Sequence, residues 1–295
     1  MPTVLGAGAA AKVVRSPNIV AIGPNAAHNA VDSDFAVVIG GNAGHSMSGA
    51  PYAMLLGNSA GQQLQNGLYA TAIGPSAGRF ANGTKGSVII GLSAGYLAVD
   101  VNYSIVLGYA AARYTQHNEY SLIIGYAAGA YSSNSHLSVF GGMHAGYKAE
   151  SSGRMVAIGW FAGAWADNSP GSVMIGPEAG GVSKADAQKE VHSAHHVNHG
   201  VYIGSGAGKE SSNTTDVVLI GTDTKADEGI ENAVAIGKGA HVTQSNSMNL
   251  PVLKRPGGGV LVVDDEGNVT PSDQLTQAMA IITALTARIE ALEAH

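Results

Sequence analysis

The chain has 295 residues, of which 45% are hydrophobic and 12% charged, with a net charge of -6, 41 glycines and no cysteine. That apolar content is too high for a disordered chain, so an ordered structure has to make use of the glycine. Scattered Lys and Arg exclude the electrostatic footprint of a nucleic-acid binder, and the lack of cysteine excludes disulfides and thiolate metal sites.

The first residues, Met1 to Ala11, lack the basic stretch and apolar segment of a secretory leader. No uninterrupted apolar run approaches the roughly 18 residues of a membrane span. The expectation is a product made in a cytoplasm, without membrane insertion.

From Gly6 onward the sequence repeats. Gly6, Gly23, Gly40, Gly57, Gly74, Gly91, Gly108, Gly125, Gly142, Gly159 and Gly176 follow at intervals of seventeen residues, and Gly204, Gly221 and Gly237 complete fourteen rungs. Leu or Ile precedes the glycine in thirteen of the fourteen, Gly141 being the exception, and a second aliphatic residue such as Val20, Val37 or Val156 stands two residues earlier. Residues two apart share one face of a strand, so each rung is expected to supply a short strand whose aliphatic pair points inward. Ala stands three residues after the glycine in thirteen rungs, a column that admits only a methyl group. Gly follows that Ala in nine rungs, as at Gly44 and Gly61, which calls for positive φ or close backbone approach at a corner.

The fold class read from this pattern is all-β: an elongated parallel β-roll or β-solenoid of about fourteen 17-residue rungs, spanning residues 1–243. With one well-defined aliphatic strand per rung, the remaining faces look polar or small. Several copies wrapped around a common axis would complete one another's core, and a homotrimer is the expected state.

The rung after Gly176 is enlarged, and its segment 181–200 holds His192, His195, His196 and His199. On a helix these would share one face, and three copies near an axis could bind a transition metal. No carboxylate or thiolate accompanies them, so a solvated surface excursion is the competing reading.

A neck at 244–271 carries Gly257 to Gly259, a strand Val260 to Val263 and a turn Asp264 to Asn268. A helix over 272–295 is then expected, with Ser272 as its N-cap. Leu275, Ala278, Ile282, Leu285, Ile289 and Leu292 alternate at spacings of three and four, the seam of a short coiled coil that would clamp the oligomer. An amphipathic helix packed on its own chain is the alternative.

The runs Val20-Ala21-Ile22-Gly23, Val156-Ala157-Ile158-Gly159 and Val234-Ala235-Ile236-Gly237, with the Ile-Gly-x-x-Ala-Gly form of Ile90 to Gly95, resemble the head repeats of trimeric autotransporter adhesins. They are also similar to repeats of bacteriophage tail-fibre and tailspike shafts. The likeness covers residues 1 to about 243, with a spacing longer than that of the adhesin heads, and it implies a trimeric parallel β-roll. An autotransporter would end in a stalk and amphipathic membrane strands. Here Gly259-Val260-Leu261-Val262-Val263-Asp264 and Gly267-Asn268-Val269 look instead like the junction before the terminal coiled coil of phage fibres. The resemblance therefore implies a virion tail appendage, with other virion tail proteins and a bacterial surface polysaccharide as partners. A bacterial cell surface is the alternative location.

Recognition is expected at positions that the repeat leaves free. Phe80, Leu97, Tyr114, Tyr131, Lys148 and Trp165 form one column, and Tyr109, Tyr126, Met143 and Trp160 another. Such rings could stack sugars, or simply stack on each other and cover a chain interface. A glycan-cleaving tailspike would need paired carboxylates. Asp32, Asp34, Asp100, Glu119, Glu150, Asp167 and Glu178 read as sharing no column, although Glu150 with Asp167 could meet at a surface. The expectation is a non-enzymatic structural and host-binding subunit without a cofactor. A depolymerising tailspike and a purely structural virion fibre are the alternatives.

Overall fold

The computed structural model describes residues 2–181, 195–209, 211–251, 260–263, 269–272, 278 and 281–286. They fall into two compact units, Met1–Asn249 and Leu250–His295.

In the first unit the seventeen-residue period becomes a hydrogen-bond register. Val20, Ala21 and Ile22 pair in parallel with Val37, Val38 and Ile39, and each later strand repeats the relation. Fifteen strands follow one another in chain order in a single sheet, from Thr3–Leu5 to Met248–Asn249. A second ladder of single parallel bridges runs from Val14↔Val31 through Asp167↔His195. The corners between the ladders also bond from rung to rung: Gln63 N–H donates to His45 O at 2.8 Å and Gly61 N–H to Ala77 O at 2.8 Å. Each segment of the path thus finds backbone partners above and below, as a buried main chain requires. The chain is a parallel β-solenoid of about fourteen turns. The enlarged rung keeps this register, since Val173 pairs with Val201 on its far side.

The strands sit where the sequence places them, but with the opposite face inward. From the second strand onward the central residue is buried: Ala21, Val38, Leu55, Ile89, Val106, Ile123, Phe140 and Met174 are all at most 1% exposed. The flanking aliphatic pair points outward, with Ile105 44% and Ile124 41% exposed. Alternation along a strand says which residues share a face but not which face is inside.

A single chain therefore closes its own core, and the expectation that several copies must complete it is corrected. The core does this by trading volume between neighbouring inward positions. Where the central residue is Ala21 or Ala157, the residue two before it is Ile19 or Met155. Where the centre is Ile89, Val106, Ile123, Phe140 or Met174, that position is Ser87, Ser104, Ser121, Ser138 or Ser172. Interiors pack at near-constant density, so in these rungs a large residue at one position goes with a small one at the other, whereas Ala70 and Ala72 are both small.

The buried serines also stitch rungs together. Ser104 N–H donates to Ser87 Oγ at 3.1 Å, Ser121 N–H to Ser104 Oγ at 3.0 Å and Ser138 N–H to Ser121 Oγ at 3.2 Å. Ser121→Ala would leave the Ser138 amide without that acceptor in a dry interior. A loss of about 1–3 kcal/mol in a denaturant titration is expected. Tyr202, the largest buried ring, hydrogen-bonds Thr214 Oγ1 at 2.9 Å. Burial pushes its hydroxyl up to about 12, against the lowering effect of Thr214 and Ser211.

The glycine column has a steric cause. These glycines adopt φ between +122° and +138°. A Cβ on Gly91 would lie 2.3 Å from the carbonyl oxygen of Gly108 in the next rung, and one on Gly125 2.4 Å from that of Gly142. The column marks close backbone stacking within one chain and is not the mark of an oligomer axis.

In the second unit, Val260–Val263 pairs antiparallel with Val269–Ser272. Ser272 opposes Val260 and ends that strand, and the residues directly after it, where the expected helix would begin, lie outside the described residues. Ala278 and residues 281–286 are helical, a short stretch in which Ile281, Ile282 and Leu285 are more than half exposed. The segment Asp264 to Asn268, with Leu275, Ile289 and Leu292, lies outside the described residues.

Candidate functional site

Outward inversion of the aliphatic pair creates a surface. Its two aliphatic columns are bordered on one side by Phe35, Tyr52, Tyr69, Tyr103, Tyr120 and Leu137, and on the other by Leu92, Tyr109, Tyr126, Met143 and Trp160. All of these bordering residues are between 41% and 58% exposed. The rings stack along the solenoid with centroids 5.2 Å apart for Phe35 and Tyr52, 5.1 Å for Tyr52 and Tyr69, and 5.2 Å for Tyr103 and Tyr120. The Phe35 column was legible at seventeen-residue spacing but is not among the columns the sequence reading singled out. With strands about 4.8 Å apart and residues about 3.3 Å apart, the face measures on the order of 60 by 16 Å, roughly 1,000 Å². Soluble monomers rarely expose an apolar patch larger than a few hundred Å².

One gap interrupts the face. Gly141 stands where other rungs place Ile or Leu, without the positive φ of the repeat glycines, and a Cβ there would meet Ile158 Cγ1 at an ordinary 3.6 Å. Gly141→Ile is expected to raise stability by about 1 kcal/mol by removing a strand glycine. Urea unfolding of the variant checks it.

Around the corner from Trp160, the two aromatic columns named from sequence merge. Phe80, Tyr96, Tyr114 and Tyr131 follow with centroid separations of 5.7, 5.7 and 5.0 Å. The path continues through Tyr147 to Trp165 at 5.6 and 5.1 Å, and Trp165 stacks on Phe161 at 5.9 Å. Phe161 meets Trp160 at 5.1 Å and His144 at 4.7 Å, and His144 meets Tyr126, the neighbour of Tyr109. Sequence columns alone missed the connecting residues Tyr96, Tyr147, His144 and Phe161. Burial raises the Tyr147 hydroxyl above its usual range, with Tyr131 adding to the shift.

Guanidinium groups sit over rings along this edge. The Arg79 guanidinium sits 4.6 Å from the Phe80 ring centre, and that of Arg113 sits 5.4 Å from Tyr96 and 4.9 Å from Tyr114. The Nε atoms of both are buried without a hydrogen-bond partner. Charge is segregated around the rung. In the corner segments after Gly6 through Gly159, Lys12, Arg79, Arg113 and Lys148 are the charged residues and no Asp or Glu occurs. Asp32, Asp34, Asp100, Glu119, Glu150 and Asp167 all lie beside the second ladder instead. There the Arg15 guanidinium, hydrogen-bonded to Asp32, holds that carboxyl below its ordinary range.

Contrary to the sequence reading, the acids do share columns: Glu150 and Asp167 are bridge partners in adjacent rungs, with His195 following. His195, His196 and His199 lie on the solenoid turn itself and not on a helix. His199 Nδ1 sits 3.4 Å from Asp216, and His192 lies outside the described residues. Among the described residues no group of three His, Asp or Glu is arranged to hold a metal ion. None of their helices is long and apolar enough to cross a membrane.

No protein-family model and no curated protein matches the chain. Its fold, a parallel β-solenoid of about fourteen turns, is consistent with a fibre or spike shaft.

Proposed function

We propose that this chain is a structural and host-binding subunit of a phage tail fibre or spike. Three solenoids associate through the flat apolar face and present their aromatic edge to a bacterial surface glycan. The observation that carries the reading is the apolar face that runs from rung to rung on a solenoid whose own core is already closed. Its occupant is a second copy of the chain. Roughly 1,000 Å² per protomer exceeds the ~800 Å² that each partner contributes to a standard specific interface. The face also repeats with the rung, so an identical solenoid in register matches it along its whole length.

This arrangement divides the aromatic residues. Tyr109, Tyr126 and Trp160 border the association face, whereas Phe80, Tyr114, Tyr131 and Trp165 lie around the corner and remain available for sugar stacking. Leu275, Ile282, Leu285, Ile289 and Leu292 extend the oligomer as a short coiled coil. Attachment to other virion tail proteins, and location in the tail, belong to the same reading.

Competition tests it. Purified protein should block adsorption of the cognate phage to its host, and release no reducing ends from host capsule or lipopolysaccharide. Unimpaired adsorption at saturating protein would remove the receptor role, and release of reducing ends would make the protein a depolymerase.

A further inference from the structure

We infer that the edge from Arg79 to Lys148 binds an acidic polysaccharide, one bearing carboxylates on its sugars. The inference deepens the glycan-binding reading above and rests on it. Four observations carry it. Arg79 and Arg113 belong to alternate rungs, about 10 Å apart along the axis, and no carboxylate lies within salt-bridge distance of either among the described residues. Each sits over aromatic rings at 4.6–5.4 Å, a cation–π contact that favours this position before a ligand arrives. Both are half-buried with Nε inaccessible, so the terminal nitrogens, one of which in Arg113 also donates to the Tyr114 hydroxyl at 3.4 Å, are the groups that can pair with an anion. The corner segments are free of acid through ten successive rungs, in a protein whose net charge is -6.

The geometry suits a chain-like ligand running along the axis. One ring-bearing rung matches one extended sugar in length. Tyr114 and Tyr131, stacked on each other at 5.0 Å, offer their outer edges to the sugars, and the two guanidinia meet a carboxylate on every second sugar, as in a polymer with an acidic disaccharide repeat. Lys148, exposed in the same column, extends the cationic track two rungs beyond Arg113. A neutral glycan would leave both guanidinia without anions, at a cost to selectivity.

The test uses the full-length protein against a panel of bacterial capsular polysaccharides, half uronate-bearing and half neutral, with each acidic binder repeated after its carboxyls are reduced to alcohols. Binding is expected among the uronate-bearing members, falling at least tenfold on carboxyl reduction. Arg79→Gln with Arg113→Gln should cause a similar loss, while Arg15→Gln beside the second ladder changes nothing. Melting curves of the variants confirm that they stay folded. Because stacking is shared by both ideas, Tyr131→Ala separates them. Binding to neutral members that is lost in Tyr131→Ala but kept in the arginine variants would overturn this inference and leave the glycan reading intact. No binding to any member would overturn both.

Discussion

Alanine in place of Gly91 destabilises the solenoid by at least ~3 kcal/mol, whereas alanine in place of Gly78 costs about 1 kcal/mol. Both residues have positive φ, +136° and +59°. The difference lies in what the new methyl meets. At Gly91 it would lie 2.3 Å from a carbonyl oxygen of the next rung, and that oxygen belongs to a backbone that cannot retreat alone. Moving it lifts the rung and disturbs the Gly108 N–H to Ile90 O bond, now 2.8 Å. At Gly78 the methyl would meet the Ala72 Cβ at 3.4 Å, and the equivalent Ala27 and Ala112 already adopt the same conformation, at φ of 53° and 51°. Urea unfolding of the two variants measures the contrast. Equal losses would mean that close stacking does not explain the column.

The second large effect separates inside from outside on one strand. Ile123 is fully buried and Ile124 is 41% exposed, although they are adjacent and identical in type. Ile123→Asp buries a carboxylate with no partner, a cost of several kcal/mol, and should prevent folding. Ile124→Asp should leave circular dichroism and melting of the solenoid intact while abolishing self-association. The reverse outcome would restore the opposite facing.

What was legible from sequence, and what was not, follows from how each feature is encoded. Rung length, strand positions and the confined Ala column are identity-coded: one residue type is needed at one position, and repetition makes it visible. In many rungs the inward face is coded by a complementary pair. Ile19 with Ala21 and Phe140 with Ser138 fill similar space, so neither position looks fixed when read as a column. The outward pair looks fixed because every rung repeats the same aliphatic surface. Regularity in the sequence thus reads as interior although it belongs to an exposed face. The aromatic edge was half legible. Phe80, Tyr114, Tyr131 and Trp165 stood out as a column, but Tyr96, Tyr147 and Phe161 join it only because the tight corner sets neighbouring columns side by side. Charge segregation was hidden similarly, since acids scattered along the chain gather beside one ladder once the rungs are stacked.

Light scattering on the purified protein measures in a single experiment whether the apolar face is covered by further copies of the chain. A mass of about 89 kDa, three times that of the 29.7 kDa chain, is the expected result. A folded, soluble monomer at micromolar concentration, with the face from Val20 to Ile236 open to water, would contradict it.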